Sequence, residues 1–584
     1  MRRVLSATSL VALVSLSACG GGSSSGVIST PAPPPAPTPA PTPAPTPTPT
    51  PPPPATPLRD LDTSRSFATD AATLTGTWDT ATSTAIDGTA ARGSLSISYN
   101  AANGSYTVAT AGENSTFGSN DIIAEDSIDT RYSKATADGT EYLTLAKDSY
   151  SSDRSQDYVA LGFRQRNRSD GDDQGVEFTT FTYGFRTDAA GVPRTGQAAY
   201  GIDVFGVATK PGEEPVSFDG SGKFSVNFLE GSFLAQASTT EYGLVTDYGV
   251  SGGGIELNAS GMLSASDGSF SGLAAYGSGY GQTSGTIFGR FYGPSAQEVG
   301  ASFQTNGADG LAAVGSFVGA RADTLVPENL SFTSLSREQR FYTLYGGPVG
   351  GLTWLNSETF DFQGYSSDMG GGRFSAADKI DGKSTNFRTY AKTVDDVYGT
   401  QDVVLELYKY GSANREIALT YASFGHWSGT RNGGTQDEYF HYGFLTGRNL
   451  LTARTGTARY AGVLYGTGVN SDASRKYDIR GTSAFNINFG SQTFGGNLTA
   501  TGTEQTSGVS ANFGSFAVDG TVFSGASALE GLISRGGTNL GSFNGSFYGP
   551  DGQEMAGSFY FNAPAGTGDA LEVGIKGVTV TKRQ

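Results

Sequence analysis

Residues 289–303 read Gly-Arg-Phe-Tyr-Gly-Pro-Ser-Ala-Gln-Glu-Val-Gly-Ala-Ser-Phe, and residues 545–559 read Gly-Ser-Phe-Tyr-Gly-Pro-Asp-Gly-Gln-Glu-Met-Ala-Gly-Ser-Phe. Phe291-Tyr292-Gly293-Pro294 with Glu298 thus returns as Phe547-Tyr548-Gly549-Pro550 with Glu554, 256 residues later. Gly285 returns as Gly541. Upstream, Tyr183-Gly184-Phe185 returns as Tyr442-Gly443-Phe444, offset 259, and Arg194-Thr195-Gly196 with Tyr200 as Arg454-Thr455-Gly456 with Tyr460, offset 260. Phe224 and Asn227-Phe228 return as Phe485 and Asn488-Phe489, offset 261. A constant order at a near-constant offset indicates a duplication. The chain therefore carries two lobes, expected at 58–325 and 326–584.

Each lobe reads as β. Leu95, Ile97 and Tyr99 alternate with polar residues, as do Phe224, Val226, Phe228 and then Phe485, Ile487, Phe489. A period of two marks strands with one buried and one wet face. Asn103-Gly104 between two such runs is a hairpin signal, and each Gly-Pro after Phe-Tyr is a strand-ending turn. The expected fold class is all-β.

Composition narrows the function. The 584 residues carry a net charge of −17, with 38 Lys plus Arg against 55 Asp plus Glu. That balance argues against nucleic acid as a partner, because binding by counterion release needs clustered cations. One Cys and two His exclude an intrachain disulfide, and no zinc site can be assembled from them without carboxylates. No catalytic motif emerges. The only Gly-x-Ser-x-Gly, residues 22–26, lies in a Gly/Ser-rich run. Asp170-Gly171-Asp172-Asp173-Gln174-Gly175 falls short of a calcium loop, with Phe181 where a bidentate Glu is required. The expectation is no enzyme and no cofactor. Residues 58–325 hold 16 Lys/Arg and 32 Asp/Glu, whereas 326–584 hold 20 and 23. Such a field either steers a basic partner to the first lobe or keeps an exposed head soluble.

The N-terminus sets the expected location. Arg2 and Arg3 precede an apolar run that ends in Leu16-Ser17-Ala18-Cys19. This resembles a bacterial lipoprotein signal, in which residues 1–18 are removed and the Cys19 thiol carries a covalent lipid. The single Cys of the chain sits at the one place where a thiol would be consumed. Residues 19–57 form a tether, and 16 of the 24 Pro fall within 31–57. As polyproline II that run reaches about 80 Å. The expected location is the outer membrane, lipid-anchored and exposed at the cell surface. A membrane-spanning barrel fits less well, since Thr581–Gln584 supplies no terminal aromatic strand.

The doubled Phe-Tyr-Gly-Pro-x-x-Gln-Glu element, with Phe424-Gly425-His426-Trp427 and Tyr442-Gly443-Phe444 before its second copy, resembles the lobes of transferrin-binding protein B and related surface lipoproteins. The resemblance implies a handle followed by an eight-stranded antiparallel barrel in each lobe: handles at about 58–188 and 326–447, barrels at about 189–325 and 448–584. It implies capture of an iron-carrying protein, haem or another solute, and delivery to a TonB-dependent receptor after export by a surface translocator. A structural or adhesive surface protein is the alternative.

His426 and His441, the only histidines, are equidistant from Gly433-Gly434. A hairpin folded there would set the two imidazoles directly opposite each other, about 4.5–5.5 Å apart at Cβ. They are the candidate metal or haem ligands. The plain reading is two polar residues on a wet strand, and a one-residue register shift would separate them.

Overall fold

The computed structural model describes residues 57–584 apart from 149, 151–154, 172, 251–254, 345–347, 365–368, 383, 397–398, 432 and 523–528. Cys19, its lipobox and all of the tether except Pro57 lie outside the described residues. Residues 54–584 cluster as one compact unit. Among the described residues no helix is long and apolar enough to cross a membrane.

The first lobe opens with a handle of two sheets. Four strands, Arg65–Ala68 to Asn114–Phe117, form one, and seven strands between Asp70–Asp79 and Asp173–Gly184 form the other. The Asn103-Gly104 hairpin is present, with Ile97 opposite Val108 and Tyr99 opposite Tyr106. Eight strands from Gln197–Thr209 to Ala312–Arg321 then form an antiparallel barrel, closed by pairing of the first with the last. The second handle is a single nine-stranded sheet between residues 339 and 443. The second barrel runs in eight strands from Thr457–Asn470 to Val573–Arg583 and closes in the same way.

Eight strands leave an interior just wide enough for side chains, and aromatics fill it. Tyr200, Phe218, Phe224, Phe233, Tyr276, Phe291 and Phe303 pack the first barrel, and Phe485, Phe513, Phe516, Phe543 and Phe547 the second. Alternation is clean along Lys476–Asn488, where Phe485 and Ile487 are buried and Asn486 and Asn488 exposed. It fails at the matching end of Val216–Asn227, where Ser225 and Asn227 are buried as well. The segment between the lobes covers them. The Glu328 amide donates to Ser225 Oγ at 3.1 Å, and Asn227 Nδ2 donates to Ser334 Oγ at 2.7 Å.

Candidate functional site

The duplicated motif is a joint between handle and barrel. Phe291 and Phe547 point into the barrels, whereas Tyr292 and Tyr548 point outward into the cores shared with the handles. Glu298, buried, accepts from the amides of Asp157, Tyr158 and Val159 at 2.7, 2.8 and 2.9 Å. Glu554, also buried, accepts from Thr420, Tyr421 and Ala422 at 2.7, 2.8 and 2.8 Å. Each carboxylate thus satisfies three main-chain donors where the last handle hairpin begins. Burial raises both carboxyls above their ordinary value, with the amides acting against that rise. Gly293 and Gly549 hold φ of 81° and 92°. A Cβ there would meet the Tyr158 ring at 2.8 Å or the Tyr421 ring at 2.7 Å, so only glycine fits. Thr187 and Thr446 close the turn by donating to the Gly293 and Gly549 carbonyls at 2.5 Å. Pro294 is exposed, but Pro550 takes a 2.6 Å hydrogen bond on its carbonyl from Ser260 of the first barrel. These residues fasten each handle to its barrel.

The two histidines do not stand opposite one another. The hairpin pairs Arg431 with Gly434, so His426 faces Tyr439 and His441 faces Phe424. The turn centres one residue earlier than Gly433-Gly434, with Gly433 at φ 80°. The imidazoles share a face but lie on a diagonal and take different partners. The His426 ring stacks on Tyr439 at 4.3 Å; its Nδ1 lies 3.0 Å from Glu406 Oε2 and its Nε2 3.8 Å from Asp437 Oδ2. His441 is fully buried and shares a 2.6 Å hydrogen bond with the Tyr548 hydroxyl. Among the described residues no group of three His, Cys, Asp or Glu is arranged to hold a metal ion.

His426 instead belongs to an ionic cluster between the second handle and its barrel. Lys476 and Lys576 each approach Asp437 at 3.3 Å. Burial alone would raise Asp437, but His426 and the two lysines hold it well below the carboxylate range. Burial alone would lower His426, but Asp437 and Glu406 raise it. His441 has no carboxylate beside it, and burial pushes it down to about 3. Sequence spacing gave no hint of the cluster, because its lysines come from barrel strands far along the chain.

A second feature lies at the end of the strand Ser232–Gly243 and in the loop that follows it. In the first barrel Tyr242, Leu244, Val245 and Tyr248 are 38%, 41%, 62% and 78% exposed within seven residues. Single exposed apolar residues need no explanation, whereas a cluster does. The loop is built on one carboxylate. Glu214 Oε1 accepts from the Val245 and Thr246 amides, both at 2.7 Å, and Oε2 from Thr246 Oγ1 at 2.8 Å. Those amides, with burial opposing, keep Glu214 below its ordinary value. Glu213 and Asp247 are exposed beside it. The second barrel has a shorter loop there, 505–509, with one exposed apolar residue, Val509, and in it Glu504 accepts from the Thr506 and Ser507 amides at 3.0 and 2.7 Å.

Residues 452–578 match the family model of the C-lobe and N-lobe beta barrels of Tf-binding protein B. The chain is a two-lobed protein similar to transferrin-binding protein B. Among solved structures, a double mutant of transferrin binding protein B from Haemophilus parasuis Hp5 is 14% identical, with 75% of this chain and 85% of that chain covered and a TM-score of 0.25. Isotype 1 transferrin binding protein B from serogroup B Neisseria meningitidis is 16% identical, with 75% and 89% covered and a TM-score of 0.24. These overlaps are loose, and the fold stands on the strand pairings described above. No curated protein matches the chain.

Proposed function

We propose that this protein is a non-enzymatic surface receptor. Lipid on Cys19 holds it at the outer membrane, the Pro-rich tether extends the head, and the first lobe captures a protein ligand. The ligand passes to a TonB-dependent receptor in the same membrane. The observation that carries this reading is the crest of Tyr242, Leu244, Val245 and Tyr248, set on a carboxylate-ordered loop in the more acidic lobe. Exposed aromatic and aliphatic groups supply an anchor, and the surrounding carboxylates steer a ligand with a cationic surface. The filled barrels and the joint motif support a rigid grip rather than a cup around a solute. An iron carrier of the transferrin type is the first ligand to test, given the relatives that bear that name. Immobilised head (residues 58–584) is assayed against transferrin, with Val245→Asp and Tyr248→Ala as variants. We expect binding that weakens at least tenfold in the variants and falls with added salt. Equal binding by head and variants removes the crest from the reading. No binding of any iron carrier, together with unchanged growth on such carriers after deletion, favours an adhesive surface protein.

A further inference from the structure

One outer face of each barrel is built from its first strand and its last two, and the lobes treat that face differently. In the first lobe the handle strand Thr84–Arg92 lies across it. Asn306 holds that strand by its main chain. Its Oδ1 accepts from the Ala90 amide and its Nδ2 donates to the Ala90 carbonyl, both at 2.9 Å. Gly88 sits over Thr209 and Ala312, so close that a Cβ would collide with Thr209 Oγ1. Beside Pro211, the Ala85 amide donates to the Glu213 carbonyl at 2.9 Å, and the Ala85 carbonyl accepts from Gly212 at 2.8 Å. The strand thus crosses Asn306, Ala312, Thr209 and Pro211 in turn.

Strand pairing identifies the equivalent positions in the second lobe. Asn306 faces Ala312, which faces Thr209; Asn562 faces Gly574, which faces Val469, and Ser471 follows as Pro211 does. Among the described residues no strand lies over them. In the first handle Thr84–Arg92 is held by Asp70–Asp79, which pairs with residues 173–182 along its whole length. In the second handle Gln339–Leu344 reaches Gly434–Gly443 at Leu344 alone, opposite His441. What remains on the barrel is a groove of about 400 Å³, lined by Asn562, Gly574, Val469 and Ser471 together with Tyr560 and Glu572. Val469 and Tyr560 are 39% and 48% exposed, whereas Thr209 and Ala312 are fully buried. Gly574 leaves open the space that Ala312 fills; a Cβ there would meet nothing nearer than Asn562 Oδ1 at 3.4 Å. Asn562 Oδ1 accepts from the Tyr560 hydroxyl at 3.2 Å, and its Nδ2 has no partner among the described residues. Lys576 is taken by Asp437 and Glu438, but the exposed Glu572 carboxylate forms no ion pair among the described residues.

We propose that this face receives an extended segment of a partner polypeptide, laid as Thr84–Arg92 is laid in the first lobe. Asn562 reads its main chain, and pockets for its side chains set the choice of sequence. An apolar residue at the place of Gly88 enters the space over Gly574, and a cationic residue at the place of Ala85 meets Glu572. The site lies on the second lobe and does not depend on the ligand proposed for the first-lobe crest. The probe is a phage-displayed library of random peptides, each as long as Thr84–Arg92, selected on the immobilised head (residues 58–584). We expect enriched sequences to carry Lys or Arg and an apolar residue at the spacing of Ala85 and Gly88. One such peptide is synthesised and titrated by fluorescence polarisation. Gly574→Leu fills the groove from an extended strand position with room for a Cβ, and should weaken the peptide about tenfold or more. Asn562→Ala should weaken it about threefold or more. Glu572→Lys should weaken it by a similar factor, and should leave a peptide with Ala in place of the cation unchanged. Tyr248→Ala, on the crest, should have no effect. Circular dichroism and melting check that each variant folds. Absence of enrichment, or equal binding to parent and folded Gly574→Leu, overturns the proposal. A dimer of the parent in sedimentation that Gly574→Leu abolishes assigns the face to a second copy and overturns it as well.

Discussion

The two lobes share a frame and fill it differently. Gly162 pairs with Phe181 in the first handle and Gly425 with Phe440 in the second, each glycine making room for the opposing ring. The next positions are therefore equivalent: Phe163 corresponds to His426, and Phe178 to Asp437. On the barrel side, the pair Val207 and Val314 corresponds to Thr467 and Lys576. The first joint is accordingly aromatic, with the Phe163 and Phe205 rings 4.0 Å apart and Tyr150 and Phe178 around them. The second is ionic. A joint capped by the same buried glutamate tolerates either filling, because the cap satisfies the main chain and leaves the side-chain layer to be chosen. An apolar layer is indifferent to salt and acid. An ionic layer carries desolvation costs that only its partners offset.

The caps give the largest expected effect. Glu298→Ala and Glu554→Ala each leave three buried amides without an acceptor, and we expect a loss of about 4 kcal/mol or more in the affected lobe. Hydrogen exchange at residues 157–159 and 420–422 reads each joint separately. Equal losses would establish the frames as equivalent; a small loss in one lobe would break the comparison. Next is Phe163→Ala, expected to cost about 3–5 kcal/mol through the cavity it leaves, with no dependence on salt. Asp437→Asn is expected to cost about 2 kcal/mol, since it leaves Lys476 and Lys576 without their shared partner. That loss should shrink in 1 M salt, where exposed charges are screened beyond about 3 Å. Calorimetry at low and high salt distinguishes the two layers.

What could be read from the sequence follows from how local each feature is. The strands and the duplication were legible, because period-two patterning and a repeated Phe-Tyr-Gly-Pro are properties of short stretches. The joint role of Glu298 and Glu554 was not, since their partners lie 139–141 and 132–134 residues away. The histidine pairing was one residue out in its turn centre, which moved His441 from His426 to Phe424. Alternation also misjudged Ser225 and Asn227, because the segment that covers them, between the lobes, lies 103–107 residues further along the chain. The crest and the groove were invisible for a related reason. Exposure around a loop and the lack of a covering strand are tertiary facts that no local period encodes.

The smallest effects test the ionic layer through acid. The two histidines act in opposite directions. His441 is pushed down to about 3 by burial, so the unfolded chain binds its proton first as pH falls below about 6.5. The stability it permits is complete above about 6.5 and is lost steadily toward 3, a cost of about 2 kcal/mol by pH 5. His426 is raised by Asp437 and Glu406. Its contribution is complete below about 6.5 and is lost as pH rises through the raised value. His441→Thr installs the first-lobe residue, Thr182, which bonds Tyr292 at 3.3 Å as His441 bonds Tyr548. We expect it to flatten the acid limb of the second lobe, shrinking the drop between pH 7 and pH 5 by about 1–2 kcal/mol. His426→Gln should do the reverse, lowering stability more at pH 5.5 than at pH 9. Urea melts across pH 5–9, with the first lobe's transition as internal control, separate the two. If both variants shifted the curve in one direction, the ionic joint would not differ from the aromatic one in the way its geometry requires.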